Sequence, residues 1–209
     1  MNIVSYLKDI YGYGTPIFLK DIRIGRKSKT AIRKELSRAV KDKKIIRRSQ
    51  GVYYFKEDKP LSAELSFNSI VEKKYIKDDY GIKGLEINTY GYYSGQTFLN
   101  QIGISQQVPA VLEITTNNTS CKRIYHSGKY RAILRKGRTT ITYQNCKALQ
   151  FFDMISDFLT IEEVKKNKDL LANYIKRFLN KNDFTNNIQF YSNRVAKIIV
   201  EEGLIYAFR

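Results

Sequence analysis

Few residues in this chain have the type and spacing that catalysis needs. His126 is the only histidine. It lies in the alternating run Arg123-Ile124-Tyr125-His126-Ser127, with no strand-to-helix nucleophile elbow beside it, so a Ser-His-Asp or Cys-His relay has nowhere to form. Asp78-Asp79 and Glu162-Glu163 are adjacent pairs, whose side chains diverge on a strand or a helix. A metal-dependent nuclease needs spaced carboxylates converging on one cation. Glu113-Ile114-Thr115 places a carboxylate on a strand, but threonine stands where such a site wants lysine. The P-loop and GxGxxG patterns are absent. Cys121 and Cys146 lack CxxC spacing and a neighbouring histidine, so they read as two buried, reduced thiols. These residues predict no enzyme, metal or cofactor.

Binding chemistry is much better represented. The formal charge is +17, and a field of that sign attracts polyanions, of which nucleic acid is the commonest in a cell. The charge is also concentrated. Residues 1–59 hold sixteen Lys/Arg against six Asp/Glu, and the other 150 residues hold twenty-one against fourteen. Between Lys20 and Arg48 only Asp21, Glu35 and Asp42 oppose a dense set of cations. A solubility device would be spread evenly with both signs mixed. An anionic membrane is the rival polyanion, but no amphipathic basic helix is left with large apolar residues to spare for it. Nor does any run approach the roughly 18–20 apolar residues that would span a bilayer. The opening residues lack a basic leader and an apolar core, so the cytoplasm, in association with the nucleoid, is the expected location.

The elements that would position these cations follow from spacing. Ile3, Val4, Leu7 and Ile10 predict a first helix from about Ile3 to Tyr11, broken by Gly12 and Gly14. Thr15-Pro16 reads as a cap followed by proline at the first helical position, predicting a short second helix from Pro16 to about Ile22. Ser28 caps a third helix, Lys29 to about Lys43. Ile32, Leu36, Ala39 and Val40 fall on one side of it, and Thr30, Lys34, Ser37, Arg38 and Lys41 on the other, with Arg33 at the flank. Two β-rich runs, 45–49 and 52–55, flank Gln50-Gly51 as a hairpin. Three helices and a hairpin are the parts of a winged helix-turn-helix, with the third helix in the major groove and the hairpin against backbone. The candidate DNA contacts are Arg23, Arg26, Lys27, Ser28, Lys29, Thr30, Arg33, Lys34, Ser37, Arg38, Lys41, Arg47 and Arg48. Lysine and arginine neutralise phosphates and release counterions. Arg33, Lys34 and Arg38 could also reach guanine edges, and the start of the helix favours a phosphate near Ser28 to Thr30. A charged helix face that is merely solvated, or a protein adaptor, is the bland alternative.

Glu57-Asp58-Lys59-Pro60 marks a boundary, giving a domain over 1–58 and a second over 61–209. The second reads as mixed α/β ending in helices, and the whole chain as α+β. Its expected helices are 66–77, with Ile70 and Val71 inward, and 96–102, ended by Gly103. Gly81 to Gly84 reads as a turn. Strands are expected over 85–88, 108–116, 122–126, 129–134 and 139–143. Three helices follow, at 146–158, 161–179 and 188–202, and then a closing strand at 204–208. No acid occurs between Glu113 and Asp153. Lys122, Arg123, Lys129, Arg131, Arg135, Lys136 and Arg138 on those strands and turns therefore form a possible second polyanion surface, or simply a basic exposed sheet face.

Two stretches resemble the AbiEi family of bacterial type IV antitoxins. One is Tyr11-Gly12-Tyr13-Gly14-Thr15-Pro16-Ile17-Phe18 with the basic helix and Gly51-Val52-Tyr53-Tyr54. The other runs from Gly91-Tyr92-Tyr93-Ser94-Gly95 through Asn100-Gln101-Ile102-Gly103-Ile104-Ser105 and Gln107-Val108-Pro109 to Ile114-Thr115-Thr116-Asn117. Gln106 departs from the family's more frequent threonine. The resemblance covers roughly the first 120 residues, with a looser match in the helical tail. It implies a winged helix that binds inverted repeats in the promoter of its own operon as an autorepressor, with two copies per operator. It also implies a C-terminal domain that counteracts a nucleotidyltransferase toxin without a stable complex, as part of an abortive-infection defence against phage. The alternatives are a stand-alone winged-helix transcription factor with a sensor domain and, behind it, a DNA-targeted nuclease.

Overall fold

The computed structural model describes residues 2–57, 64–78 and 88–208. The chain is mixed α+β, with 47% helix against 17% strand and a helical C-terminal end. Among the described residues, 2–57, 64–74 and Asp78 pack as one unit, and 75–77 with 88–208 as another.

In the first unit α1 spans Ile3–Tyr11, as the spacing predicts, and Asn2 Oδ1 caps it by accepting from the Val4 N–H at 2.9 Å. The expected second helix is absent. Ile17–Phe18 is instead a short strand, β1, followed by a turn in which the Asp21 N–H donates to the Phe18 carbonyl. Two interactions remote in sequence decide this. The Pro16 carbonyl accepts from the Lys73 ammonium at 3.0 Å, and Ile17 and Phe18 pair with Tyr53 and Val52 of a later strand. A strand sends successive side chains to opposite faces. Ile17 accordingly enters a core with Leu7, Ile32 and Leu36, and Phe18 a second core with Val52, Tyr54, Leu65 and Ile70.

Helix α2 spans Lys29–Lys41, with Ile32, Leu36 and Ala39 buried. Ser28 Oγ accepts from the Ala31 N–H at 3.2 Å. The helix stops two residues before the expected end because Lys43 turns to φ 58°. The Lys43 and Lys44 N–H groups then donate back to the Val40 and Ala39 carbonyls, which is a Schellman closure with lysine in the place usually taken by glycine. Strands β2 (Ile46–Ser49) and β3 (Val52–Tyr54) form the expected hairpin, turned by Gly51 at φ 73°. The sheet order is β1-β3-β2, with a bulge between Arg47 and Ser49.

Helix α3, Phe67–Tyr75, falls within the helix expected over 66–77 and buries Ile70 and Val71. Asp58 to Pro60, the sequence boundary, lies outside the described residues. Residues 64–74, assigned to the second domain from sequence, pack with the first unit, because Leu65 and Ile70 cover the sheet face that α1 and α2 leave open.

The short strands β4 (Lys77–Asp78) and β5 (Asn88–Thr89) pair with each other. The Gly81–Gly84 turn, and all but Asn88 of the strand expected over 85–88, lie outside the described residues. Strands β6 (Gly91–Tyr93), β7 (Leu112–Thr116), β8 (Arg123–Ser127) and β9 (Tyr130–Lys136) form a sheet of order β6-β7-β9-β8. Its β7–β9 ladder is parallel. The strand expected over 139–143 does not form. The Asn117 side chain satisfies both the N–H and the C=O of Ile141, at 3.0 and 2.8 Å, so the backbone needs no strand partner and Ile141 joins the helical core. Residues 108–111 also stay outside β7, with Val108 exposed.

The Gly91 to Gly95 block that carries much of the resemblance faces inward. A Cβ on Gly91 would collide with the Tyr75 carbonyl oxygen. Tyr92 donates to Asp153, and the Tyr93 carbonyl accepts from Gln150. Gly95 leaves room for the Glu113 carboxylate and opens α4, Gly95–Gln101.

The helical end begins with α5 (Cys146–Asp153), which runs into a π-helical turn over Met154–Phe158. The single helix expected over 161–179 is two, α6 (Ile161–Lys166) and α7 (Lys168–Phe178), divided at Asn167, whose side-chain amide donates to the Glu163 carbonyl. An unforeseen helix, α8 (Lys181–Asn187), follows a capping box between Asn180 and Asp183. The last α-helix, α9, spans Asn193–Glu201, preceded by a 3-10 turn at Ile188–Phe190. In place of a closing strand there is a 3-10 turn, Leu204–Ala207, that buries Leu204. Cys146 is buried as expected, but Cys121 is exposed.

Candidate nucleic-acid interface

The polar side of α2 resolves into two rows. Lys29, Arg33 and Ser37, spaced by four residues, line an open groove of about 690 Å³ together with Lys20, Arg47, Gln50 and Lys74. Phe18, Leu19, Val40, Gly51, Val52 and Tyr53 also line it, and among the described residues the lining includes no carboxylate. Thr30, Lys34, Arg38 and Lys41 form the second row, repeat at helical intervals, and are exposed. Among the described residues, Arg33, Lys34, Arg38 and Lys41 make no ion pair. The helix therefore buries its aliphatic side and leaves its cations to solvent.

The remaining expected contacts are placed less uniformly. Lys27 is drawn to Glu35 at 2.7 Å. Arg23 donates to the Lys20 and Ile22 carbonyls. The Ser28 hydroxyl is engaged by the Ala31 N–H. Arg26 is exposed next to Gly25. Arg47 and Arg48 part company at the bulge. Arg47 pairs in register with Tyr53 and lines the groove, whereas Arg48 is half-buried and donates to the Leu65 carbonyl at 3.4 Å.

Three groove residues escape a reading by helix periodicity: Lys20, Gln50 and Lys74. Lys20 had a signal, since it opens the dense basic run. Lys74 had none, because it arrives on a helix whose sequence announces only its buried residues. The nearby acid, Asp21, is partly masked. Burial pushes its carboxyl up, against the pull of Lys20, Lys73 and Arg23. The Tyr11 hydroxyl is pushed up to about 12, first by burial and then by Asp21 and Asp78.

The second basic set divides as well. Lys122, Arg123, Lys129, Arg131 and Lys136 are exposed. Arg135 is half-buried and bound to Glu113 at 2.7 Å. Arg138 pairs with Asp157 at 2.7 Å and Asp153 at 3.4 Å, and lies over the Tyr191 ring. Both arginines are thus engaged by carboxylates of their own unit, Arg138 while remaining exposed. His126 is exposed opposite Arg131 in the β8–β9 register. Among the described residues, no group of three or more His, Cys, Asp or Glu is placed to hold a metal ion, and no helix is long and apolar enough to cross a membrane. No protein-family model matches this sequence, and no curated protein matches it either.

Proposed function

We propose that the first unit is a winged helix that binds double-stranded DNA, with α2 as the recognition helix and the β2–β3 hairpin as the wing. Its second helix is reduced to the turn after β1. The observation that carries this reading is the row of exposed cations on α2, without an ion-pair partner among the described residues, beside a basic groove whose described lining residues include no carboxylate. In such a docking Lys34 and Arg38 reach base edges in the major groove, while Lys29, Arg33 and Arg47 hold the backbone.

The resemblance to the AbiEi family extends the proposal. The chain acts at the nucleoid as the autorepressor and antitoxin of a type IV system. Two copies bind inverted repeats upstream of its own operon, and the second unit counteracts a nucleotidyltransferase toxin without a stable complex. Mobility shifts with the duplex immediately upstream of the coding sequence test the DNA reading, and equal affinity for a scrambled duplex at physiological salt refutes operator recognition. Growth on co-expression with the neighbouring gene product tests the antitoxin role. A neighbour that is not a nucleotidyltransferase, or a toxic one that this chain fails to counteract, refutes it.

A further inference from the structure

The groove beside α2 is lined by more than the helix and hairpin. Lys29, Arg33 and Arg47 come from α2 and β2, but Lys20 comes from the turn after β1 and Lys74 from the last turn of α3. Lys20 is exposed, its ammonium 5.8 Å from the centre of the Phe18 ring. Lys74 is half-buried.

What holds Lys74 in place is the residue before it. Lys73 is only 3% exposed, and a buried ammonium is costly unless partnered. Its partners include the Pro16 carbonyl at 3.0 Å and the faces of Tyr11 at 4.5 Å and Phe18 at 5.9 Å, the latter two being cation–π contacts. Together with Ile70 and Val71 in the core, these contacts fasten the end of α3 to β1. The two adjacent lysines thus divide the work: Lys73 ties α3 to the sheet, and Lys74 lines the groove.

We infer that Lys20 and Lys74 are sequence-independent phosphate contacts that carry the DNA interface beyond the winged helix onto α3, with one phosphodiester strand of the duplex seated in the groove; this rests on the DNA-binding reading above. Phosphate is the fitting ligand. Lysine is a compact charge on a flexible stem, all five groove cations have the same sign, and the groove is open, so it suits a continuous backbone and not an enclosed small anion.

The test is a fluorescence-anisotropy titration of the labelled upstream duplex with the full chain across a range of NaCl concentrations. Lys20→Ala/Lys74→Ala should flatten the slope of log K against log salt by about 1.8 and weaken binding at 0.1 M salt by up to about 60-fold. Preference for the upstream duplex over a scrambled one should be unchanged. Lys20→Gln/Lys74→Gln keeps the side-chain stems and should behave alike, which guards against a folding defect in the alanine variant. Lys166→Ala/Lys176→Ala, on exposed positions of the second unit, removes the same net charge and should leave the slope intact. If the wild type binds with a steep slope that the groove variants leave unchanged, or that the control lowers equally, this inference is overturned while the DNA reading stands. A wild type that binds no duplex overturns both.

Discussion

The two rows on α2 predict that neighbouring basic residues on one helix fail in different ways when removed. Arg33 lines the groove with Arg47, whereas Lys34 and Arg38 are exposed one position round the helix and absent from the groove lining. Arg33→Ala should therefore cost one phosphate interaction. The salt slope falls by about 0.9 and affinity at 0.1 M salt drops by up to about 8-fold, equally for upstream and scrambled duplexes. Lys34→Ala/Arg38→Ala should instead reduce the preference for the upstream duplex. A well-made hydrogen-bonded pair with a base is worth about 1–3 kcal/mol, so the ratio should fall by roughly 5- to 150-fold for each such pair removed. Folding should survive, because all three side chains are exposed and alanine is the best helix former. Anisotropy titrations with both duplexes at several salt concentrations, accompanied by thermal melts, separate the two effects. If Arg33→Ala abolishes the preference while Lys34→Ala/Arg38→Ala preserves it, α2 does not dock on DNA in this orientation.

Glu35→Gln should strengthen binding to any duplex by a few-fold, because it frees Lys27 from its 2.7 Å pair and removes a carboxylate from α2. An exposed pair contributes about 0–1 kcal/mol, so the melting temperature should barely move; weaker binding would mean that Lys27 stays away from the phosphates. Gly91→Ala should destabilise the second unit by about 1–3 kcal/mol, since its Cβ would meet the Tyr75 carbonyl and lie 2.8 Å from that of Thr115. An unchanged denaturant midpoint would show that β6 is not held so closely. Burial pushes the Asp153 carboxyl up, against hydrogen bonds from Tyr92 and Tyr191 and the nearby Arg138. The fold thus favours the protonated form, whose contribution is complete below the ordinary aspartate value and is lost as pH rises through the raised one. Unfolding of Asp153→Asn should lack that decline as pH rises above the ordinary aspartate range, and parallel pH profiles for the two proteins would contradict the assignment.

The local code was enough for elements whose residues answer to their near neighbours. Ile3 to Tyr11, the Ser28-capped basic helix and the hairpin at Gln50-Gly51 all follow from period, cap and turn chemistry within a few residues, and so does the exposure of Lys34, Arg38 and Lys41. The same code misjudged Pro16 to Ile22. Its cap-and-proline signature is a fair helix start, but a lysine from α3 and a ladder to β3 offered that backbone better partners. It also misjudged residues 139–143, where one asparagine side chain replaces a strand partner, and 161–179, where Asn167 divides a continuous pattern. Only the tertiary structure could set Arg47 in the groove and Arg48 behind it, engage Arg135 and Arg138 with carboxylates of the second unit, and bring Lys74 to a surface begun near residue 20. Charge composition announces that a polyanion will be attracted. Which cations stay open to one depends on hydrogen bonds and packing between segments far apart in the chain, and helical spacing carries no information about those.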